Sequence, residues 1–266
     1  MNKIKKLTSF FNKLFSKFIK ISLLCAFGIF TIYPLGLDQK REAFIKNSTI
    51  PGSHAYFPFN DFVFISVEVS IEMNGTQMGM IHSTASGVVV NTLDRSKSYI
   101  LTAGHVCDPS FDQEYPPSLP LEQKADITVF DYYGYQHKSK VLGINNDHDL
   151  CLLESDDVWT DGSALSHSIP ASGEKVYAIS APHSIFSPGN ALLFDGYFTG
   201  FDEKMNAFYT IPTKPGSSGG GVFDKSGNIV GIIHSAPADF ENLAIASSLE
   251  NVKNFLSHYV IFVTSY

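Results

Sequence analysis

An all-β body is the fold class this sequence predicts, with one short helix close to its C-terminal end and a separate apolar helix at its N-terminus. Two observations carry that expectation. From about residue 60 onward, short runs of apolar and β-branched residues are separated by turn residues, and no long helical periodicity intervenes. The composition adds a bound: 22 Phe, 12 Tyr and only 17% charged residues in 266 suit a packed core and not a disordered chain. Many short strands joined by polar turns mean a sandwich or a pair of barrels.

The N-terminal segment reads differently. Lys3, Lys5, Lys6, Lys13, Lys17 and Lys20 fall within the first 20 residues, without an acid among them. Ile4, Leu7, Phe11, Leu14 and Phe18 recur at helical spacing, which makes a basic amphipathic helix. Ile21 to Leu37 then run 17 residues without a charge, up to Asp38. That run is just long enough to cross a bilayer, and the lysines before it would hold that end in the cytoplasm. A signal peptide's apolar region is shorter and ends at a small-x-small site, where this chain has Pro34 and Leu35. Residues 1–37 are therefore expected to be an uncleaved membrane anchor, with a cleaved signal as the alternative. Either places the body outside the cytoplasm, as a single-pass membrane-associated or an exported protein. Residues 38–60, with Pro51-Gly52 and Pro58, form a linker.

Within the body, Val63, Ile65, Val67, Val69, Ile71 and Met73 alternate with Ser66, Glu68, Ser70 and Glu72, a half-buried strand of period two. Asn74-Gly75 is a tight-hairpin signal, after which the chain returns through Met78 and Met80 to Gly87-Val-Val-Val90. Further strands are expected at 99–102, 127–131, 138–144 and 150–154, and a second set at 175–180, 192–199, 208–211, 221–224 and 229–234. Leu249, Val252, Phe255 and Leu256 share one face of a helix starting near Ser248. Residues 257–266 form a tail.

A net charge of −7 is not that of a nucleic-acid binder, which shows a basic face. No His, Cys, Asp or Glu spacing suggests a metal site. Of the three cysteines, Cys25 lies in the apolar N-terminal run, so at most one bridge, Cys107 to Cys151, is open to the body. Three buried free thiols are the expectation.

Three segments carry chemistry: Leu101-Thr-Ala-Gly-His-Val-Cys107, Asp147-His-Asp-Leu-Cys-Leu-Leu153 and Lys214-Pro-Gly-Ser-Ser-Gly-Gly-Gly-Val-Phe223. Each lies at a strand end, in the order His, Asp, Ser. In these segments the chain resembles the trypsin-like (chymotrypsin-fold) serine peptidases over about residues 60–256, and is closest to bacterial-type members without the animal disulfides. The resemblance implies two β-barrels, about 60–158 and 165–247, with the active site between them. It also implies a triad of His105, Asp149 and Ser218, an oxyanion hole from the N–H groups of Gly216 and Ser218, and no cofactor. A serine hydroxyl is a poor nucleophile unless a base takes its proton, and a base needs a third group to hold its tautomer. Asp147 competes with Asp149, and Ser217 with Ser218. Asp149 directly abuts the apolar run, and Ser218 alone stands in the G-x-S-G-G frame.

The implied activity is endopeptidase cleavage of a protein or peptide substrate through an acyl-enzyme. The rival is a catalytically silent module that keeps the fold to bind a partner. A nucleophile elbow of the α/β-hydrolase kind also fits Gly216–Gly220, but strands follow where that elbow needs a helix. The chain departs from the family where Ser217 replaces an Asp that pairs with a newly cut N-terminus. It also lacks a cysteine near Gly87. For substrate binding the resemblance points to Thr213 and His234. Pro212 stands where Lys- or Arg-selective members carry an Asp, so an uncharged or small side chain is the expected preference. At the position of His234 the family places a side chain facing the catalytic aspartate, and a backbone carbonyl that receives the substrate's N–H.

Overall fold

The alternation that starts at Val63 becomes a strand because one face can be buried and the other cannot. In the computed structural model, Val63, Ile65, Val67 and Val69 are buried, while Glu68 between them is exposed. The structure describes residues 57–73, 76–108, 121–237, 239–240 and 242–265, with only the backbone of 121–123. The N-terminal segment 1–37, the linker up to residue 56 and the turn Asn74-Gly75 lie outside the described residues. Among the described residues no helix is long and apolar enough to cross a membrane.

Strands β1 (Phe62–Met73), β2 (Thr76–Val90), β3 (Ser98–Ala103), β4 (Leu121–Asp131), β5 (Gln136–His137), β6 (Lys140–Asn145) and β7 (Leu150–Ser155) form one seven-stranded sheet, in the order β5-β4-β1-β2-β3-β7-β6. This half-barrel stands where the sequence predicts the first barrel. Strands β8 (Lys175–Ser180), β9 (Leu192–Phe201), β10 (Asn206–Tyr209), β11 (Gly221–Phe223), β12 (Ile229–Ser235) and β13 (Ala244–Ser248) close into a six-stranded barrel, as expected for the second.

Three apolar clusters follow from the two faces of each strand. In β7, Cys151 and Leu153 point into the half-barrel core with Ile65, Val89 and Ile100. Leu150 and Leu152 point the other way, into a layer shared with Ile179, Ile229 and Ile232 of the closed barrel. Val176, Ala178, Phe198, Tyr209, Val230 and Ile233 fill the closed barrel itself. Strands such as β7 are buried on both faces, which is why they read as unbroken apolar runs.

The helix Leu249–Ser257 begins at Ser248, whose hydroxyl accepts from the Asn251 N–H at 3.4 Å. Its face of Leu249, Val252, Phe255 and Leu256 packs into the shared layer, as the spacing predicts. The expected tail is tied back, since Phe262 bridges to Thr92 and Thr264 to Leu165.

Candidate active site

The antiparallel pairing of β3 with β7 places Ala103 opposite Leu150. The residues just beyond those ends therefore meet at one edge of the sheet. Past Ala103 the chain makes one helical turn, Gly104–Cys107, which carries His105. Asp149 stands one residue before β7. Its Oδ2 lies 2.8 Å from His105 Nδ1, and its Oδ1 accepts from the His105 backbone N–H at 2.8 Å. One carboxylate thus grips both the ring and the main chain of the histidine. A ring that donates from Nδ1 keeps its basic lone pair on Nε2.

Two features make this approach possible. Gly104 has no side chain, and a Cβ there would stand 2.9 Å from Asp149 Oδ1. Asp149 itself adopts a left-handed φ of 49°, a conformation that costs an L-residue about 1–3 kcal/mol and is found at functional sites. Burial pushes the Asp149 carboxyl up. The hydrogen bonds and charge of His105, with a further contribution from the charge of His234, outweigh that and hold it below its ordinary value. Asp147, by contrast, is exposed.

Cys107 and Cys151 form a disulfide, with Cα atoms 6.4 Å apart. The expectation of free thiols is corrected here. The pairing arises because Cys151 lies opposite Thr102 in the β3–β7 register, and the helical turn brings Cys107 back over it. The bridge ties the turn bearing His105 to the strand that follows Asp149.

Ser218 is supplied by the other barrel, from the turn between β10 and β11. It is partly exposed, whereas Ser217 is fully buried and its hydroxyl accepts from the Lys214 N–H at 3.3 Å. Gly216 and Gly219 have φ of 95° and 84°, and both are crowded. A Cβ on Gly216 would lie 2.5 Å from the Ala181 carbonyl oxygen, and one on Gly219 would run into the Ser86 carbonyl and the Thr102 hydroxyl. The Ser218 turn therefore sits on β2 and on the end of β3, three residues before His105. Within it the N–H groups of Ser217, Gly219 and Gly220 donate to Lys214, Ile233 and Ser217 carbonyls. Those of Gly216 and Ser218 have no acceptor among the described residues.

Of the two residues predicted for substrate binding, Thr213 is buried and its hydroxyl donates to the Ile211 carbonyl at 3.2 Å, inside its own turn. His234 lies on β12 beside the His105–Asp149 pair. Its Nδ1 is 3.0 Å from Ser235 Oγ and 3.8 Å from Asp149 Oδ2, and its buried Nε2 has no protein partner among the described residues. Burial lowers its pKa, and the nearby Asp149 carboxylate only partly offsets this. Among the described residues no group of His, Cys, Asp or Glu could hold a metal ion. Sequence reasoning missed Ser86, which contacts the Ser218 turn from β2. A serine before a glycine carries no signal of such a contact.

Residues 85–232 match the family model of the trypsin-like peptidase domain. No curated protein matches the chain.

Proposed function

Because the chain belongs to the trypsin-like peptidase family, we propose that it is a serine endopeptidase in which Ser218 is the nucleophile, His105 the general base and acid, and Asp149 the group that orients the imidazole. In the proposed cycle, Ser218 Oγ attacks the scissile carbonyl carbon while its proton passes to His105 Nε2. The carbonyl oxygen becomes an oxyanion that accepts from the Gly216 and Ser218 N–H groups. Collapse expels the amine, which takes the proton from His105 and leaves an acyl-enzyme. Water then repeats the sequence, delivering a proton through His105 and restoring Ser218.

The observation that carries this reading is that the N–H groups of Gly216 and Ser218 have no acceptor among the described residues, whereas those of Ser217, Gly219 and Gly220 in the same turn are satisfied. Two such donors suit a developing oxyanion. The test is fluorophosphonate labelling of the full chain, with peptide hydrolysis measured in parallel. Labelling at Ser218 and its loss in Ser218→Ala are expected, with hydrolysis falling by a factor on the order of 10⁶, as for removal of a nucleophile elsewhere. A folded wild-type protein that neither labels nor cleaves would leave the binding-module reading in its place.

The proposal extends to location. The basic, apolar segment 1–37 would direct the peptidase domain across a membrane, and a Cys107–Cys151 disulfide suits an oxidising compartment. Protease protection of the domain in intact cells tests this.

A further inference from the structure

The carbonyls from Pro215 to Ser218 are engaged one after another. The Pro215 carbonyl accepts from the His183 N–H at 2.7 Å, and Ser217 from the Gly220 N–H at 2.9 Å. The Gly216 carbonyl accepts from the Ser86 hydroxyl at 2.8 Å. The Ser218 carbonyl accepts from the Ser86 N–H, also at 2.8 Å. In a peptide unit the C=O and N–H point in opposite directions, so fixing a carbonyl fixes the N–H on the same plane. The planes that carry the Gly216 and Ser218 N–H groups are pinned by His183 and Gly220. The planes that follow each of them are pinned by Ser86.

Ser86 is fully buried, and its polar groups are all used. Besides the two bonds above, its hydroxyl accepts from the Ala181 N–H at 2.9 Å, and its carbonyl accepts from the Thr102 hydroxyl at 2.8 Å. It therefore joins four segments: β2, the end of β3 leading to His105, the nucleophile turn, and the turn after β8. That last turn holds His183 and Ser184 at left-handed φ of 52° and 60°, and Ser184 Oγ meets Thr84 Oγ1 on β2 at 2.8 Å. Strained backbone of this kind persists only where its surroundings over-determine it.

We propose that the Ser86 hydroxyl is a positioning group for the reaction: by gripping the Gly216 carbonyl it stops the peptide plane between the two oxyanion N–H groups from turning, so that both stay aimed at the reacting centre. The proposal rests on the peptidase reading. Ser86 touches no reacting atom. It acts by removing the freedom of the turn to rotate a peptide plane, so its loss weakens transition-state binding more than ground-state binding.

The experiment compares wild type, Ser86→Ala, Ser86→Cys and a stability control, Val88→Ala, at a temperature where all are folded by circular dichroism. Val88 lies on the same strand and is buried in the shared apolar layer. Ser86→Ala is expected to lose about 10- to 100-fold in kcat and in fluorophosphonate labelling rate with KM within threefold, less than the 10²–10³ lost when an oxyanion donor is removed outright. Ser86→Cys, which keeps a weaker donor of similar size, is expected to fall between, and it stands in if the alanine variant does not fold. Equal kcat in wild type and the Ser86 variants overturns the proposal, as does an equal kcat loss in Val88→Ala. Failure of the peptidase reading is distinguishable, because wild type itself would then neither label nor cleave.

Discussion

The half-barrel and the closed barrel deliver their proposed catalytic groups by different means. His105 and Asp149 come from adjacent strands of one sheet, locked by a two-pronged hydrogen bond and, two residues further along from each, by the Cys107–Cys151 bridge. Ser218 comes from a turn of the closed barrel that has no covalent fastening and is held mainly by hydrogen bonds, several of them from β2 and from the turn after β8. The acid–base pair is thus fastened within one sheet, while the nucleophile turn is fastened from both sides, by His183, Gly220 and Ile233 of its own barrel and by Ser86 of β2. A histidine and its carboxylate must keep one geometry throughout a reaction. An oxyanion turn must also admit and release a substrate, for which non-covalent fastening is enough.

The sharpest way to break this comparison is at the carboxylate. Asp149→Asn keeps the shape but would offer an amide donor where the ring's Nδ1–H needs an acceptor, favouring the wrong tautomer. A loss on the order of 10⁴ in kcat is expected, as for the equivalent change in a well-studied triad. The cost to stability should be visible too. The Asp149 carboxyl is held below its ordinary value, so the stabilisation it gives is present above the unfolded pKa of 3.8 and is lost as pH falls through the folded value. Thermal melts of wild type and Asp149→Asn should therefore converge towards acid. Parallel curves would mean that Asp149 carries no net charge–charge benefit.

Next in size is the staple. A bridge spanning 44 residues is worth about 4 kcal/mol in the chain-entropy picture. The double variant Cys107→Ser, Cys151→Ser should melt markedly lower. Its kcat at a temperature where it remains folded should fall less than tenfold, because the hydrogen bonds of Asp149 still orient His105. A kcat loss as large as that of Asp149→Asn would show that the bridge, and not the carboxylate, sets the geometry.

How much of this was legible before the structure depends on how local the signal was. Strand β1 announced itself by alternation, and His105, Asp149 and Ser218 each stand in a short motif at a strand end. The disulfide was not legible, because the spacing of Cys107 and Cys151 is silent about the register that sets Thr102 beside Cys151. Strand β13, Ala-Ile-Ala-Ser-Ser, was missed since small residues buried on both faces give no period. Closure of one β unit and not the other depends on strand order and stagger, which alternation does not encode. The grip of Ser86 on Gly216 joins residues 130 apart, and neither residue's neighbours mark it.

The smallest expected effect, and the finest test of the comparison, lies at His234, where the closed barrel touches the acid–base pair. The family resemblance implies a side chain here that faces Asp149. The structure gives Nδ1 to Ser235 Oγ at 3.0 Å and leaves Asp149 Oδ2 at 3.8 Å. The charged groups that act on it are Asp149 and Asp202, which favour its protonation, and His105, which opposes it. Burial outweighs them all and moves its pKa below the ordinary 6.5. The folded protein therefore binds a proton at His234 less readily than the unfolded chain. By linkage, its contribution to stability is full above pH 6.5 and is lost as pH falls through the lowered folded value. His234→Ser removes that contribution, so its melting temperature should fall less steeply than that of wild type from neutral pH towards acid. Activity should respond differently. Because burial favours the neutral form of His234, the acid limbs of the two pH–rate profiles should overlay near neutrality. A limb displaced by half a pH unit or more would mean that the two imidazoles titrate together, and that the closed barrel tunes the base as well as supplying the nucleophile.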